Sequence, residues 1–198
     1  MFITFEGLDG SGKSTQARLL AEALLADGRD VVATREPGGT EVGEQIRQLV
    51  LHGPPMSDWA EAALFAAARA QLVEEVIAPA LERGADVVCE RFLDSSLAYQ
   101  GLARGLGLDR VLELNLHAIR GILPDRTYLL VVDPDVSARR LGEPGDRIER
   151  EDDDFRARVG EAYDELAAAF PQRITSIDGT RPAAEIGREV LEELRQRS

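Results

Sequence analysis

Two periods of apolar spacing alternate along the chain. Short, nearly continuous apolar runs recur at Phe2–Phe5, Asp30–Thr34, Asp86–Glu90, Thr127–Asp133 and Arg173–Ile177. Runs of that length, apolar throughout rather than at every second position, predict parallel strands covered on both faces. Between them lie stretches with helical spacing: Lys13–Ala26, Glu41–Leu51, Trp59–Arg83, Ser95–Ala103, Arg110–Gly121, Val136–Leu141, Asp153–Phe170 and Ala183–Gln196. Gly28 and Gly84 follow two of these stretches, where a left-handed cap is wanted. Pro182 stands near the first turn of the last helix, where its missing N–H costs nothing. There is no internal repeat and no low-complexity linker, so residues 1–198 read as a single α/β domain, doubly wound around a parallel sheet. In such sheets ligands bind at the carboxyl ends of the strands, beside a topological switch point.

The segments that follow the strands carry the chemistry. After the first comes Gly7-Leu8-Asp9-Gly10-Ser11-Gly12-Lys13-Ser14, a full match to G-x-x-x-x-G-K-[S/T], with a helix opening behind it at Thr15. Backbone N–H groups of such a loop curl around phosphate oxygens, and the helix N-terminus adds its positive dipole end. Lys13 is expected at the β- and γ-phosphates and Ser14 on a magnesium ion. After the second strand, Arg35-Glu36-Pro37-Gly38-Gly39-Thr40 is either a plain sharp turn or one that brings Arg35 and Glu36 to the ligand face. After the third, Glu90 resembles an acid that supports magnesium, and Arg91 beside it is permanently charged and suited to phosphate. Ser96, Tyr99 and Gln100 share one helix face, either solvated or reading the edge of a base. Arg139, Arg140, Arg147 and Arg150 surround Gly142-Glu143-Pro144-Gly145-Asp146, a helix-breaking connection. Arginines in a flap of this kind suit phosphoryl transfer, which is accelerated by positioning and charge neutralisation. Asp152-Asp153-Asp154 reads as an acidic helix start.

Composition narrows the partners. Hydrophobic residues make up 44% of the chain and the formal net charge is −13. That balance argues against a duplex-binding face. It leaves room for a local arginine cluster around a small anion. No apolar run approaches the ~18 residues needed to span a bilayer. The N-terminus carries no basic and apolar leader, so a cytoplasmic location with no membrane partner is expected. The single Cys89 lies in an apolar run and reads as a buried small hydrophobe of a reducing compartment. His52 and His117 are far apart and read as surface or boundary residues, too few for a zinc site.

The chain resembles the bacterial thymidylate kinases. The resemblance covers essentially its whole length and rests on four separated motifs. These are Phe5-Glu6-Gly7-Leu8-Asp9-Gly10-Ser11-Gly12-Lys13-Ser14-Thr15, Thr34-Arg35-Glu36-Pro37-Gly38-Gly39-Thr40, Arg91 with Ala98-Tyr99-Gln100-Gly101, and Asp146-Arg147-Ile148-Glu149. It implies a P-loop nucleoside monophosphate kinase fold, with a five-stranded parallel sheet flanked by helices and a lid at about 142–151. It implies transfer of the γ-phosphoryl group of ATP to dTMP, with Mg2+, giving dTDP and ADP for dTTP biosynthesis. By the resemblance, Gly7 to Thr15 hold the ATP phosphates, and Asp9 lies near the acceptor's sugar 3′-hydroxyl and phosphate. Phe65 stacks on thymine and Arg69 hydrogen-bonds the base. Ser96 and Gln100 contact the base edge, and Tyr99 crowds the sugar 2′ position. Arg47 and Arg91 lie near the acceptor phosphate, with Glu36 on the same side. Some members carry a mobile arginine in the P-loop after the Asp. Gly10 stands there, so Arg147 of the lid is expected to supply it. Where the family usually has Asp-Arg after the third strand, this chain has Glu90-Arg91, one methylene longer, which bears on how Glu90 reaches the metal. The resemblance also implies a homodimer formed through helices.

Two other readings are weighed against this one. A guanine-nucleotide switch would carry Asn-Lys-x-Asp, but Asn115, the only asparagine, is followed by Leu116. A kinase of an unphosphorylated nucleoside fits less well, because the acceptor side is rich in arginine.

Overall fold

The structure, a computed structural model, describes residues 1–142 and 145–197. The strands are β1 (Phe2–Glu6), β2 (Val31–Arg35), β3 (Asp86–Glu90), β4 (Arg126–Val131) and β5 (Ile174–Asp178). They form one five-stranded, wholly parallel sheet in the order β2-β3-β1-β4-β5. Chain order reverses around β1, so the loop after β1 opens at the switch point.

Alternate residues of each strand enter separate cores on the two faces. Phe2, Val87 and Leu129 face one layer, with Leu72, Phe92, Leu97, Phe155 and Tyr163. Ile3, Phe5, Val88 and Leu130 face the other, with Leu20, Leu24, Ile186 and Val190. The second layer is made by α1 (Lys13–Ala26) and α9 (Ala183–Arg197), which pack on each other. The first is built from α3 (Asp58–Leu72), α5 (Leu93–Ser96), α6 (Leu108–Ile119) and α8 (Asp153–Ala169). β2 departs from the expected double cover. It is the sheet edge, and Val31 to Arg35 are only half-buried or exposed.

Most element bounds agree with the spacing within two residues, and three differences have local causes. The expected helix Trp59–Arg83 is one rod in three parts: α3 (Asp58–Leu72), a π-helical turn (Val73–Ile77) and α4 (Ala78–Glu82). The widened turn falls immediately before Pro79, which has no N–H and whose ring would crowd an α-helical carbonyl. The expected helix Ser95–Ala103 begins earlier, at Leu93 of α5, and continues as a π-helix (Leu97–Ala103). β4 stops at Val131 because Asp133 turns the chain, capping α7 (Pro134–Leu141) by accepting from Asp135 N at 2.8 Å. Asp152 caps α8 by accepting from Phe155 N, as its acidic start suggested. Gly28 and Gly84 adopt positive φ, His52 and His117 are exposed, and Cys89 is buried. Glu143 and Pro144 of the expected lid lie outside the described residues. Among the described residues no helix is long and apolar enough to cross a membrane.

Candidate active site

The segments after β1, β2 and β3 converge with α2 (Glu41–His52), α3 and α7 on an open cavity of about 570 Å³. At one end is the loop between β1 and α1. Its turn is closed by Ser11 N donating to Leu8 O at 3.1 Å, and Gly12 opens α1 without any side-chain cap. The first N–H groups of that helix are therefore left for an anion. Gly7, Leu8 and Ser11 are buried beneath the loop, while Asp9, Gly10, Gly12, Lys13, Ser14 and Thr15 line the cavity. Two glycines here answer to close approach. At Gly7 (φ 133°) a Cβ would lie 2.5 Å from Leu130 O, and at Gly10 (φ 78°) it would lie 2.8 Å from Ser137 O.

The cations at this end are held by groups of the protein itself. Lys13 Nζ donates to Leu8 O at 2.8 Å and lies 3.5 Å from Asp9 Oδ1. Burial, helped by the nearby Arg91 charge, lowers the Lys13 pKa to about 8. Arg91 Nη2 pairs with Asp9 Oδ1 at 2.5 Å, and Nη1 donates to Ser95 Oγ at 2.9 Å and Tyr163 OH at 3.2 Å. Burial alone would raise the Asp9 carboxyl, but Arg91 and Lys13 together hold it far below the usual range. Arg91 has φ 65°, a left-handed conformation that a residue with a Cβ rarely adopts. Flanking bonds fix it: Arg91 N donates to Phe5 O at 2.9 Å and Phe92 N to Glu6 Oε1 at 2.7 Å. Glu6 also accepts from Ser95 Oγ and Tyr163 OH at 2.6 and 2.9 Å. Burial, reinforced by Asp94, raises its pKa.

The other end of the cavity is built on a buried ion pair. Arg69 of α3 donates through Nε and Nη2 to Glu36 Oε2, at 2.8 and 2.5 Å. Its Nη1 donates to Ser96 Oγ at 2.9 Å and to Asn115 Oδ1, and Nη2 also reaches Phe92 O at 2.9 Å. All five guanidinium N–H groups are thereby engaged with protein. The expected direct bond from Arg69 to a base is thus not free to form in this arrangement. Instead Arg69 orients Ser96. Glu36 Oε1 is buried without a hydrogen-bond partner, and burial pushes the Glu36 carboxyl up to about 7. The Glu36–Pro37 peptide is cis. Phe65 lines the cavity one turn before Arg69, and Ser96, Tyr99 and Gln100 line it too. Arg47 also lines it and donates to Pro37 O at 2.9 Å.

Hard oxygen donors for a divalent cation are present at the Ser14 hydroxyl and the Glu90 carboxylate, both on this cavity. Among the described residues no cluster of three or more His, Cys, Asp or Glu side chains is set to hold a metal unaided. Mg2+ commonly takes one or two protein ligands and fills its shell with phosphate oxygens and water.

One expected residue sits elsewhere. Arg147 is outside the cavity: its Nε donates to Val50 O at 3.0 Å and its Nη2 pairs with Glu61 at 2.7 Å. Of the four flanking arginines it is Arg140 that lines the cavity, bonded to Gly179 O at 3.0 Å and Gly10 O at 3.4 Å. The sequence reading gave no site role to Glu6, Glu61, Arg104, Asn115 or Tyr163. Glu6 alone carried a signal, an acid ending a buried strand beside the phosphate loop.

Comparison with known proteins bears on this geometry. The family model described as thymidylate kinase matches residues 5–190. The chain is 50% identical over 186 residues to the thymidylate kinase of Bifidobacterium longum (strain NCC 2705), covering 91% of this chain and 90% of that one. It is 52% identical over 194 residues to that of Leifsonia xyli subsp. xyli, covering 96% and 92%. Among solved structures, the thymidylate kinase of Ehrlichia chaffeensis superposes with a TM-score of 0.81 at 34% identity, covering 98% of each chain.

Proposed function

The chain belongs to the thymidylate kinase family, ATP-dependent nucleoside monophosphate kinases that phosphorylate dTMP to dTDP in nucleotide biosynthesis, and we propose how its own residues divide that reaction. The observation that carries the proposal is one cavity with an uncapped helix N-terminus at one end and a buried polar niche at the other, joined by Arg91. Two anionic substrates fit such a cavity head to head.

The acceptor is already an anion, so the site has little need of a general base. It must hold two polyanions in line and neutralise the group in flight. Backbone N–H groups from Gly7 to Thr15 cradle the ATP phosphates. Lys13 exchanges its bond to Leu8 O for phosphate oxygen. Arg91, aimed by Asp9, Ser95 and Tyr163, holds the acceptor phosphate, with Arg47 beside it. Phe65 stacks on the base, Ser96 and Gln100 read its edge, and Tyr99 crowds the sugar. Glu36 sets Arg69. Ser14 and Glu90 would hold Mg2+, which neutralises phosphate charge when bound. Arg147 reaches the transferred group only after leaving Glu61, so the segment 145–151 acts as the lid. A second assignment has its own support: Arg140 already faces the phosphate loop and is the alternative neutralising cation.

Exposed Val42, Leu49, Trp59 and Leu116 on α2, α3 and α6 support a homodimer through these helices. A cytoplasmic location fits the buried thiol. A coupled ADP-release assay across dTMP, dCMP, dGMP and AMP tests the reaction. Turnover with dTMP is expected to exceed the others by far, and equal rates on all four would remove the assignment of substrate.

A further inference from the structure

Glu61 stands one helical turn before Phe65 on α3 and is 1% exposed. Its carboxylate accepts from Gln100 Nε2 at 2.9 Å and from Arg104 Nε and Nη2 at 3.0 and 3.1 Å, and it pairs with Arg147. Burial would raise its pKa, but bonds from Arg104, Gln100 and Arg147 outweigh burial and hold it below its usual value. Glu61 is therefore ionised at neutral pH, and an ionised carboxylate can only accept. Gln100 must turn its NH2 group toward Glu61, which settles an amide orientation that geometry alone leaves two-fold. The Gln100 Oε1 is thereby directed away from Glu61. Gln100 lines the cavity with Ser96 and Phe65. Ser96 Oγ accepts from Arg69 Nη1 at 2.9 Å, so its own proton remains available to donate.

We infer that Glu61 positions base specificity: it locks the Gln100 amide so that the niche offers an acceptor beside the Ser96 donor. That pair selects a pyrimidine with a carbonyl at C4 and hydrogen on N3. It rejects, in the same pose, one with an amine at C4 and a bare N3. The inference rests on the dTMP reading above and deepens it. Thymine and uracil present the same edge, whereas cytosine inverts it. Gln100 is 2% exposed, so a mismatched acceptor has little access to water and keeps its desolvation penalty.

The test is the ratio of kcat/KM for dTMP over dCMP, measured on wild type, Glu61→Gln, Glu61→Asp, Gln100→Ala and the double variant Glu61→Gln/Gln100→Ala. Glutamine at position 61 can offer its own NH2 and frees the Gln100 amide to turn over. Aspartate keeps the charge but draws back from Gln100 and Arg104, which share Glu61 Oε1, so it loosens the amide without removing the carboxylate and carries the test should Glu61→Gln fail to fold. Each Glu61 variant is expected to lower the ratio about tenfold or more, mainly through KM for dTMP. In the Gln100→Ala background Glu61→Gln should lower it no further. General loosening of the fold would depress both substrates and leave the ratio alone. An unchanged ratio in a folded variant, or a full further drop in the Gln100→Ala background, overturns the inference. A wild type inactive on dTMP would instead overturn the reaction itself, a separate outcome.

Discussion

The two ends of the cavity are made in opposite ways. The proposed phosphate end is one contiguous run, Gly7 to Thr15, and offers backbone N–H groups and an uncapped helix terminus. The proposed base end draws side chains from the loop after β2, α3, α5, the following π-helix and α6, with side-chain-to-side-chain hydrogen bonds between residues 27 to 46 apart in sequence. Its charges are buried and paired, whereas the loop's cations rest on nearby acceptors that a phosphate can replace. A backbone cradle needs little beyond local geometry. A buried side-chain network binds stability and recognition together, because removing one partner strands another.

Four experiments press on that difference, the largest expected effect first. Arg147→Ala should lower kcat by about a thousandfold or more, the scale of a lost neutralising arginine. dTMP affinity and melting temperature should move little, since Arg104 keeps Glu61 paired; single-turnover kinetics with a dTMP titration separates these, and an unchanged kcat transfers the role to Arg140. Arg69→Ala acts at the base end and should cost roughly 3–5 kcal/mol of stability by leaving Glu36 unpaired in the interior. It should also weaken dTMP binding, as read by denaturant melts and calorimetry; a fold loss without a binding loss would divorce recognition from the network. Third, burial raises the Glu36 carboxyl to about 7 in the fold, against 4.5 unfolded, even beside Arg69. Between those values the native state binds the extra proton, so stability falls as pH rises from about 4.5 to 7, by up to roughly 3 kcal/mol. Glu6 contributes with the same sign, so Glu36→Gln should flatten the slope of urea melts without abolishing it. The smallest effect belongs to the phosphate end. Lys13, near pKa 8 when unliganded, should regain its proton beside phosphate. ATP binding at about pH 8.5 should therefore take up a fraction of a proton, seen as a buffer-dependent calorimetric heat that Lys13→Gln removes.

The same contrast decides what could be read from sequence. The phosphate loop, the strand order of chemistry and α1 were legible because local spacing determines them; α1 begins and ends where its pattern does. Glu61 was not. In Asp58-Trp59-Ala60-Glu61 it looks like an ordinary first-turn acid, and only the approach of Gln100 and Arg104 from another helix buries it. Arg69 was legible as a candidate, yet its five hydrogen bonds go to four residues, Glu36, Phe92, Ser96 and Asn115, from segments that no spacing brings together. Ser96, Tyr99 and Gln100 share a face by spacing, and they do line one cavity, although Ser96 ends α5 and the other two lie in the π-helix that follows. The left-handed Arg91 carries no sequence mark, since its strain is imposed by Glu6 and Phe5 across the sheet.

Gly10 couples the loop to the helix behind it. A side chain at position 10 would meet the carbonyl of Ser137 in α7 while its backbone holds φ 78°. An arginine placed there by one substitution would have to push α7 away and hold a left-handed backbone, so it is expected to cost stability before it could serve as a cation. The close fit of loop and helix thus decides which positions around the cavity are open to a new side chain.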